Sequence, residues 1–89
     1  MSAIRAAVVG VGSLGQHHAR VYASLPGCVL AGVYDVNPER ARAVAERHGA
    51  PVFERLQDVV AGADVASVAG RTVVMKDGIV KPVQHVQEA

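Results

Sequence analysis

Apolar residues along the chain fall into short runs separated by segments with a different period. Residues 4–9 form one apolar run containing β-branched side chains, and residues 28–34 form another. Runs without polar alternation are typical of strands buried on both faces of a parallel sheet. Between these runs the apolar positions recur at helical spacing, so the pattern predicts alternating strands and helices.

The first predicted helix has its N-terminus at the turn formed by residues 10–15. Positions at i, i+4, i+7, i+8 and i+11 are predicted to form its inward stripe, namely Leu14, His18, Val21, Tyr22 and Leu25. Pro26 and Gly27 are expected to end the helix, because proline cannot continue it and glycine readily leaves the helical conformation.

The second predicted helix carries start and stop signals of its own. Asn37 is suited to cap the N-terminus, Pro38 to occupy the first helical position, and Glu39 to lie near the positive end of the helix dipole. Gly49 is the expected stop.

Further along, residues 51–53 are predicted to form a short third strand, a short helix is expected to end around Gly62, and residues 65–69 a fourth strand. Right-handed parallel crossovers between these elements give the sheet order 3-2-1-4. The predicted fold class is therefore α/β, a minimal Rossmann-like three-layer sandwich.

After Gly70 the pattern of residue types changes from alternating strands and helices to β-rich runs. Two β-rich runs flank Asp77 and Gly78, a strong hairpin signal. We expect an antiparallel β-ribbon or an extra edge strand here, followed by a polar tail at residues 84–89 that is either one helical turn or frayed. Residues 1–70 are thus predicted to be the Rossmann unit, and residues 71–89 a hairpin and tail of the same domain.

The overall composition narrows the classes of function. The chain has 89 residues, 51% of them hydrophobic, and a formal net charge of +1, which allows one domain, expected to be half of a two-part fold. Basic residues are scattered rather than clustered, which argues against nucleic acid as a partner. No segment resembles a signal peptide or a membrane span, so the expected location is cytoplasmic.

Three glycines with the spacing G-x-G-x-x-G form the main candidate for a ligand-binding site. Gly10, Gly12 and Gly15 stand between the first predicted strand and the first predicted helix. In a dinucleotide-binding turn such glycines permit the tight turn, the approach of the pyrophosphate, and close packing of helix on strand. The backbone N–H groups and the dipole of the helix then hold the phosphates.

Asp35 supports this interpretation of the glycines. It ends an otherwise apolar strand and follows Gly15 at the spacing of roughly 20 residues at which a carboxylate meets the adenosine ribose. A carboxylate in such a place requires a partner; a helix-capping role is the competing account. Its charge also opposes a 2′-phosphate, which favours NAD over NADP, although Arg40 and Arg42 soften that preference.

Residues 4–69 resemble the N-terminal domain of the Gfo/Idh/MocA oxidoreductases. The resemblance is carried by residues 8–20 (VVGVGSLGQHHAR), 32–41 (GVYDVNPERA) and 64–69 (DVASVA). It implies an NAD(P)-binding Rossmann domain that, in the family, precedes a larger domain holding a sugar, a polyol or a related compound.

Carried over position by position, the resemblance implies a set of cofactor-binding residues. Gly10, Gly12 and Gly15 would line the pyrophosphate turn, Ser13 and Leu14 would offer backbone N–H groups, Asp35 would meet the ribose, and Asn37 and Arg40 would lie beside it. It implies no catalytic residue in this chain, because the family's Glu-Lys-Pro motif is matched only by Val80-Lys81-Pro82. No metal site is predicted either, since the adjacent His17 and His18 diverge on a helix.

Two alternatives to an oxidoreductase domain stay open. One is a nucleotide-binding module without chemistry. The other is a truncated or engineered half-Rossmann fragment stabilised by homodimerisation, because an isolated sheet leaves edges that need cover. Whether the chain is an enzyme by itself is not decided by these patterns.

Overall fold

The computed structural model describes residues 3–68, 71–76 and 79–82. Within them the elements are, in chain order, β1 (Ile4–Val9), α1 (Ser13–Ser24), β2 (Cys28–Tyr34), α2 (Pro38–His48), α3 (Leu56–Gly62), β3 (Val65–Val68), β4 (Arg71–Lys76) and β5 (Ile79–Pro82). The predicted alternation of strands and helices is confirmed except between α2 and α3, where no full strand intervenes.

A single five-stranded sheet has the order β2-β1-β3-β4-β5. Strand β1 pairs in parallel with β2 on one side and with β3 on the other. It takes this central place because its apolar side chains can be buried on both faces; Ala6, Ala7 and Val8 have no exposed surface. Helices cover the two faces of this parallel part, so the structure confirms the predicted α/β Rossmann-like class.

The predicted third strand is reduced to one parallel bridge, between Val52 and Val33 of β2. Val33 donates its N–H to the carbonyl of Pro51 and accepts a hydrogen bond from the N–H of Phe53. Pro51 has no N–H to extend the ladder, and Arg55, just beyond the bridge, pairs with Asp58 at the start of α3. The segment lies beside β2, as predicted, but it is too short to count as a strand.

The inward face predicted for α1 is confirmed only in part: Tyr22 packs against the core and His18 is half-buried, but the predicted aliphatic positions are exposed. Leu14, Val21 and Leu25 are 55%, 41% and 49% exposed, whereas the fully buried residue of the helix is Ala19. The rotation of α1 is set by Gly15, which lies directly on the backbone of Gly10. The positions that follow Gly15 on the same face, Ala19 and the half-buried Tyr22, are the ones that pack into the core.

Helix α2 has the predicted ends. The side-chain oxygen of Asn37 accepts hydrogen bonds from the N–H groups of Glu39 and Arg40 at 3.1 and 3.3 Å. Gly49 follows the helix in the left-handed conformation, with φ 66°. An N-cap of this kind contributes about 1 kcal/mol to stability, so the position of α2 is determined locally.

The core is divided by the sheet into two clusters. On one face, side chains of α1 and α2 pack on Val8, Leu30 and Val33. On the other face, Val59 of α3 packs with Ala7 and other small residues. Small side chains dominate both clusters, so helices and sheet lie close together and packing is sensitive to any added atom.

The predicted C-terminal ribbon is present as β4 and β5. Strand β4 runs antiparallel to β3, and β5 runs antiparallel to β4, with Lys76 paired to Ile79. The ribbon therefore continues the same sheet as the parallel strands. The turn at residues 77–78 and the tail at residues 84–89 lie outside the described residues.

Candidate functional site

The turn between β1 and α1 is built on backbone conformations that glycine permits. Gly10 has φ +87°, in the region that residues with a Cβ adopt at a cost. Its N–H donates to the carbonyl of Tyr34, at the end of β2, at 2.7 Å. The turn thus lies at the carboxyl edge of two adjacent parallel strands, where open α/β sheets bind ligands.

The glycines at 12 and 15 differ in what surrounds them. A Cβ added to Gly15 would lie 1.8 Å from the carbonyl oxygen of Gly10, which no side chain can tolerate. A Cβ added to Gly12 would meet nothing within 4 Å. Gly15 is therefore required for packing of the helix on the turn, whereas Gly12 borders open space that a ligand can approach.

Helix α1 starts at this turn with its N-terminal donors available. Its N-cap, Gly12, offers no side-chain cap, and its first turn contains no acidic residue. The first helical hydrogen bond is the one from Gln16 N–H to the Gly12 carbonyl, at 2.8 Å. The backbone N–H groups of Ser13, Leu14 and Gly15 precede that bond, and such unpaired donors at the positive end of a helix dipole attract anions.

Asp35 joins the ends of the two strands. Its Oδ2 accepts the N–H of Val11 at 2.8 Å, and its Oδ1 accepts the N–H of Asn37 at 2.8 Å. These backbone hydrogen bonds, that of Asn37 first, together with the nearby charge of Arg40, hold the pKa of the carboxyl below its ordinary value. Each carboxylate oxygen has a second lone pair, so an ionised Asp35 can hold the turn and still accept ligand hydroxyl groups.

A cavity of about 510 Å³ opens beside Asp35. Its lining combines two acids, one base and three apolar residues: Asp35, Pro38, Arg42, Val52, Phe53 and Glu54. Ligand pockets of about 300–1,000 Å³ are usual for small molecules, and this volume lies within that range. Asp35 thus belongs both to the glycine turn, through Val11, and to the wall of this cavity.

Phe53 is a cavity residue that the sequence patterns did not single out. Its ring fills the space left by two glycines: a Cβ at Gly32 would lie 2.5 Å from the ring, and one at Gly62 would lie 2.9 Å from it. Those glycines are far apart along the chain, so periodicity gave no signal for this contact. The only hint was that Phe53 is the single phenylalanine in the sequence.

Asn37 and Arg40 lie next to Asp35 but contribute differently. The side-chain oxygen of Asn37 is used to cap α2, while its backbone N–H binds Asp35. The side chain of Arg40 is exposed and acts on Asp35 through its charge. The structure thus brings both predicted neighbours to the carboxylate.

Gln16 is a second residue that sequence reasoning missed. Its Nε2 donates to the carbonyl of Val11 at 3.1 Å, and its Oε1 accepts a hydrogen bond from Arg47 of α2 at 3.3 Å. The glycine turn is therefore held on one side by Asp35 and on the other by Gln16. Gln16 directly follows the last glycine of the spacing, at a position for which the spacing specifies no residue type, so the sequence gave no reason to expect this contact.

The histidines His17 and His18 are neighbours on α1. His17 and His18 have ring centroids 6.3 Å apart at nearly a right angle, and His18 also stands edge-on to Tyr22. Among the residues that the structure describes, no three potential ligands cluster in a way that could hold a metal ion. In the same residues, no helix has the length and apolar character needed to cross a membrane.

Comparison with known proteins places these features in a family. Residues 4–87 match the family model of the Gfo/Idh/MocA proteins, described as an oxidoreductase family with an NAD-binding Rossmann fold. The chain is 39% identical over 69 residues to UDP-N-acetylglucosamine 3-dehydrogenase of Acidithiobacillus ferrooxidans, covering 78% of this chain and 21% of that protein. It is 41% identical over 66 residues to inositol 2-dehydrogenase of Rubrobacter xylanophilus, covering 73% and 19%.

Solved structures give the same result. The crystallised UDP-N-acetylglucosamine 3-dehydrogenase of Acidithiobacillus ferrooxidans superposes with a TM-score of 0.71, at 39% identity, over 78% of this chain and 22% of that one. Scyllo-inositol dehydrogenase of Lactobacillus casei, with bound NAD(H) and scyllo-inositol, superposes with a TM-score of 0.67 at 28% identity, over 76% and 21%. The chain spans about a fifth of the length of the curated relatives it matches.

Proposed function

Because the chain belongs to the Gfo/Idh/MocA oxidoreductase family and carries its NAD-binding Rossmann domain, we propose that the site at the carboxyl ends of β1 and β2 binds NAD(H) in preference to NADP(H). The observation that carries this proposal is the carboxylate of Asp35 fixed at the glycine turn by the N–H of Val11. It places a negative charge beside the cavity in which we locate the adenosine.

The pyrophosphate of the cofactor is assigned to the start of α1. The backbone N–H groups of Ser13 and Leu14 would donate to its oxygens, with the open space over Gly12 giving access. Gly10 shapes the turn, and Gly15 brings the helix dipole close to the phosphates. The binding thus depends on backbone donors and needs no charged side chain.

The adenosine ribose is assigned to Asp35, with Asn37 and Arg40 beside it. Its two hydroxyl groups would donate to the remaining lone pairs of the carboxylate. A 2′-phosphate would bring a second negative charge to the same oxygens, which is the physical reason for the preference for NAD. Arg40 and Arg42 reduce that repulsion without removing it.

The chemistry we assign to the bound cofactor is hydride transfer, the reaction that nicotinamide dinucleotides supply. The relatives named above act on inositol or on UDP-N-acetylglucosamine, and we propose a sugar or polyol as the substrate class here. This chain's own residues would bind and orient the adenosine and pyrophosphate. We propose no catalytic residue among them. We also propose that the protein is located in the cytoplasm.

Replacing Asp35 by alanine tests the site. We expect the Kd for NADH to rise about 10- to 100-fold, since each hydrogen bond to a charged group is worth roughly 1.5–3 kcal/mol. The Kd for NADPH should rise much less, so the preference shifts towards NADPH. Isothermal titration calorimetry with both cofactors measures the two constants.

Asp58→Ala is the matched control, because it also removes one carboxylate but from α3, where Asp58 pairs with Arg55. It should leave both constants unchanged. A folded wild-type protein that binds neither cofactor would exclude the proposed function and favour a Rossmann unit that serves only as architecture. Binding of NADH without turnover of any sugar or polyol would favour the nucleotide-binding module.

We also propose that two copies pair through sheet edges. Among the described residues, β5 is the outermost strand of the sheet on one side, and on the other side β2 is covered by the bridge at Val52. Open strand edges offer unpaired backbone groups to another chain. Sedimentation velocity should therefore give a homodimer at micromolar concentration, and a monomer there would contradict this assembly.

A further inference from the structure

A second cavity, of about 300 Å³, lies between α1 and α2. Its lining contains two arginines, two histidines and one amide, and no acid: Gln16, His17, Arg20, Arg47 and His48. The cavity beside Asp35, in contrast, includes two carboxylates in its lining. The space between α1 and α2 is therefore the cationic one of the two.

Both arginines make side-chain hydrogen bonds, and neither hydrogen-bond partner is a carboxylate. An Nη2 of Arg20 lies 3.0 Å from Nδ1 of His17, and because arginine only donates, that ring nitrogen is the acceptor. An Nη1 of Arg47 donates to Oε1 of Gln16 at 3.3 Å. Within residues 3–68, 71–76 and 79–82, the ion pairs are Arg5–Asp64 and Arg55–Asp58, so neither cavity arginine is neutralised by a carboxylate there.

Guanidinium groups that are held in place and have no carboxylate partner are suited to bind phosphate groups. Arginine presents a planar set of donors that matches phosphate oxygens, and a phosphate dianion can be shared by two such groups. The volume is near the lower end of the range of about 300–1,000 Å³ for ligand pockets. A phosphate group on a small molecule fits this volume and charge.

We propose that the cavity between α1 and α2 binds a phosphate group through Arg20 and Arg47, at a site separate from the dinucleotide site. None of its lining residues belongs to the set assigned to the pyrophosphate or the ribose. Gln16 touches both regions, because it orients Arg47 with its oxygen and holds the Val11 carbonyl with its nitrogen.

Titration of inorganic phosphate into ¹⁵N-labelled protein at constant ionic strength tests the proposal. We expect saturable changes in the amide signals of residues 16–20 and 47–48. Arg20→Gln and Arg47→Gln should each weaken the binding about tenfold or more, as expected for loss of one charge-assisted hydrogen bond. The same spectra report whether each variant is folded.

Arg55→Gln is the matched control, because it removes the same charge from an exposed arginine outside the cavity. Equal weakening by all three variants would mean non-specific attraction to a positive surface and would overturn the proposal. Changes confined to residues 10–15 would also overturn it, by assigning the phosphate to the glycine turn. A separate titration with NADH then shows whether the dinucleotide site works, so failure of one site is distinguished from failure of the other.

Discussion

Gly15→Ala is expected to lower the free energy of unfolding by about 3 kcal/mol or more, the upper range for overpacking a close contact. The added Cβ would overlap the carbonyl oxygen of Gly10, a backbone atom in a turn that cannot move without breaking the contact of α1 with the sheet. Helix propensity alone predicts the opposite sign, a gain of about 1 kcal/mol for alanine over glycine. Urea unfolding followed by circular dichroism measures the difference.

Gly12→Ala is the control for this result, because the same methyl group there meets no atom within 4 Å. Its cost should stay below about 1 kcal/mol, the effect of a poorer N-cap residue. If Gly15→Ala were as stable as the wild type, α1 would have to lie further from the turn than the structure shows. Small domains bury a modest share of their surface and therefore have a small free energy of unfolding. A loss of about 3 kcal/mol should then also be visible as partial unfolding at 37 °C.

Gly12→Val is expected to leave the fold intact and to weaken NADH binding about 10- to 100-fold. The side chain would stand in the space over the turn that we assign to the pyrophosphate, and would separate the phosphates from one or two backbone donors. Hydrogen bonds to charged groups are worth roughly 1.5–3 kcal/mol each, which gives the range stated. Calorimetric titration of NADH, with an unfolding curve for the same sample, separates binding from stability.

Adenosine provides the internal comparison for this variant, because it lacks the pyrophosphate. Its affinity for Gly12→Val should stay within about twofold of the wild-type value, since the ribose contact with Asp35 lies outside the altered position. An unchanged Kd for NADH would show that the cofactor does not pass over Gly12. In that event the assignment of the phosphates to the start of α1 would be wrong, whatever the fate of the ribose site.

Much of the parallel core was predictable because its signals are local. The buried run of β1, the cap at Asn37 and the stop at Gly49 each lie within a few residues of the structure they determine. The glycine spacing and Asp35 were recognisable for the same reason, since the turn and the strand end are formed by consecutive residues. The family resemblance added the roles of these residues but did not change their positions.

The errors arose where the outcome depended on three-dimensional contacts that spacing along the chain does not reveal. The apolar stripe on α1 was assigned from spacing, but Leu14 and Val21 are exposed because the contact of Gly15 with Gly10 sets the rotation of the helix. The third strand is a single bridge at Val52, because Pro51 has no N–H to extend the ladder and Arg55 already pairs with Asp58 of α3. Phe53 entered the cavity lining through glycines that lie elsewhere in the sequence.

The sequence by itself determined the order of the elements, the central place of β1, the glycine turn and the carboxylate at the end of β2, because each depends on side chains and backbone conformations close along the chain. Only the tertiary structure decided which face of α1 is buried and which side chains line the cavities beside Asp35 and between α1 and α2. It also decided that Asp35 and Gln16 both hydrogen-bond to the backbone of Val11 in the turn. The cavity linings and the contact of Asp35 with Val11 join residues far apart in sequence, whose distances are set by the packing of small side chains across the sheet. The rotation of α1 depends on the close approach of Gly15 to Gly10, which the spacing of apolar residues does not reveal.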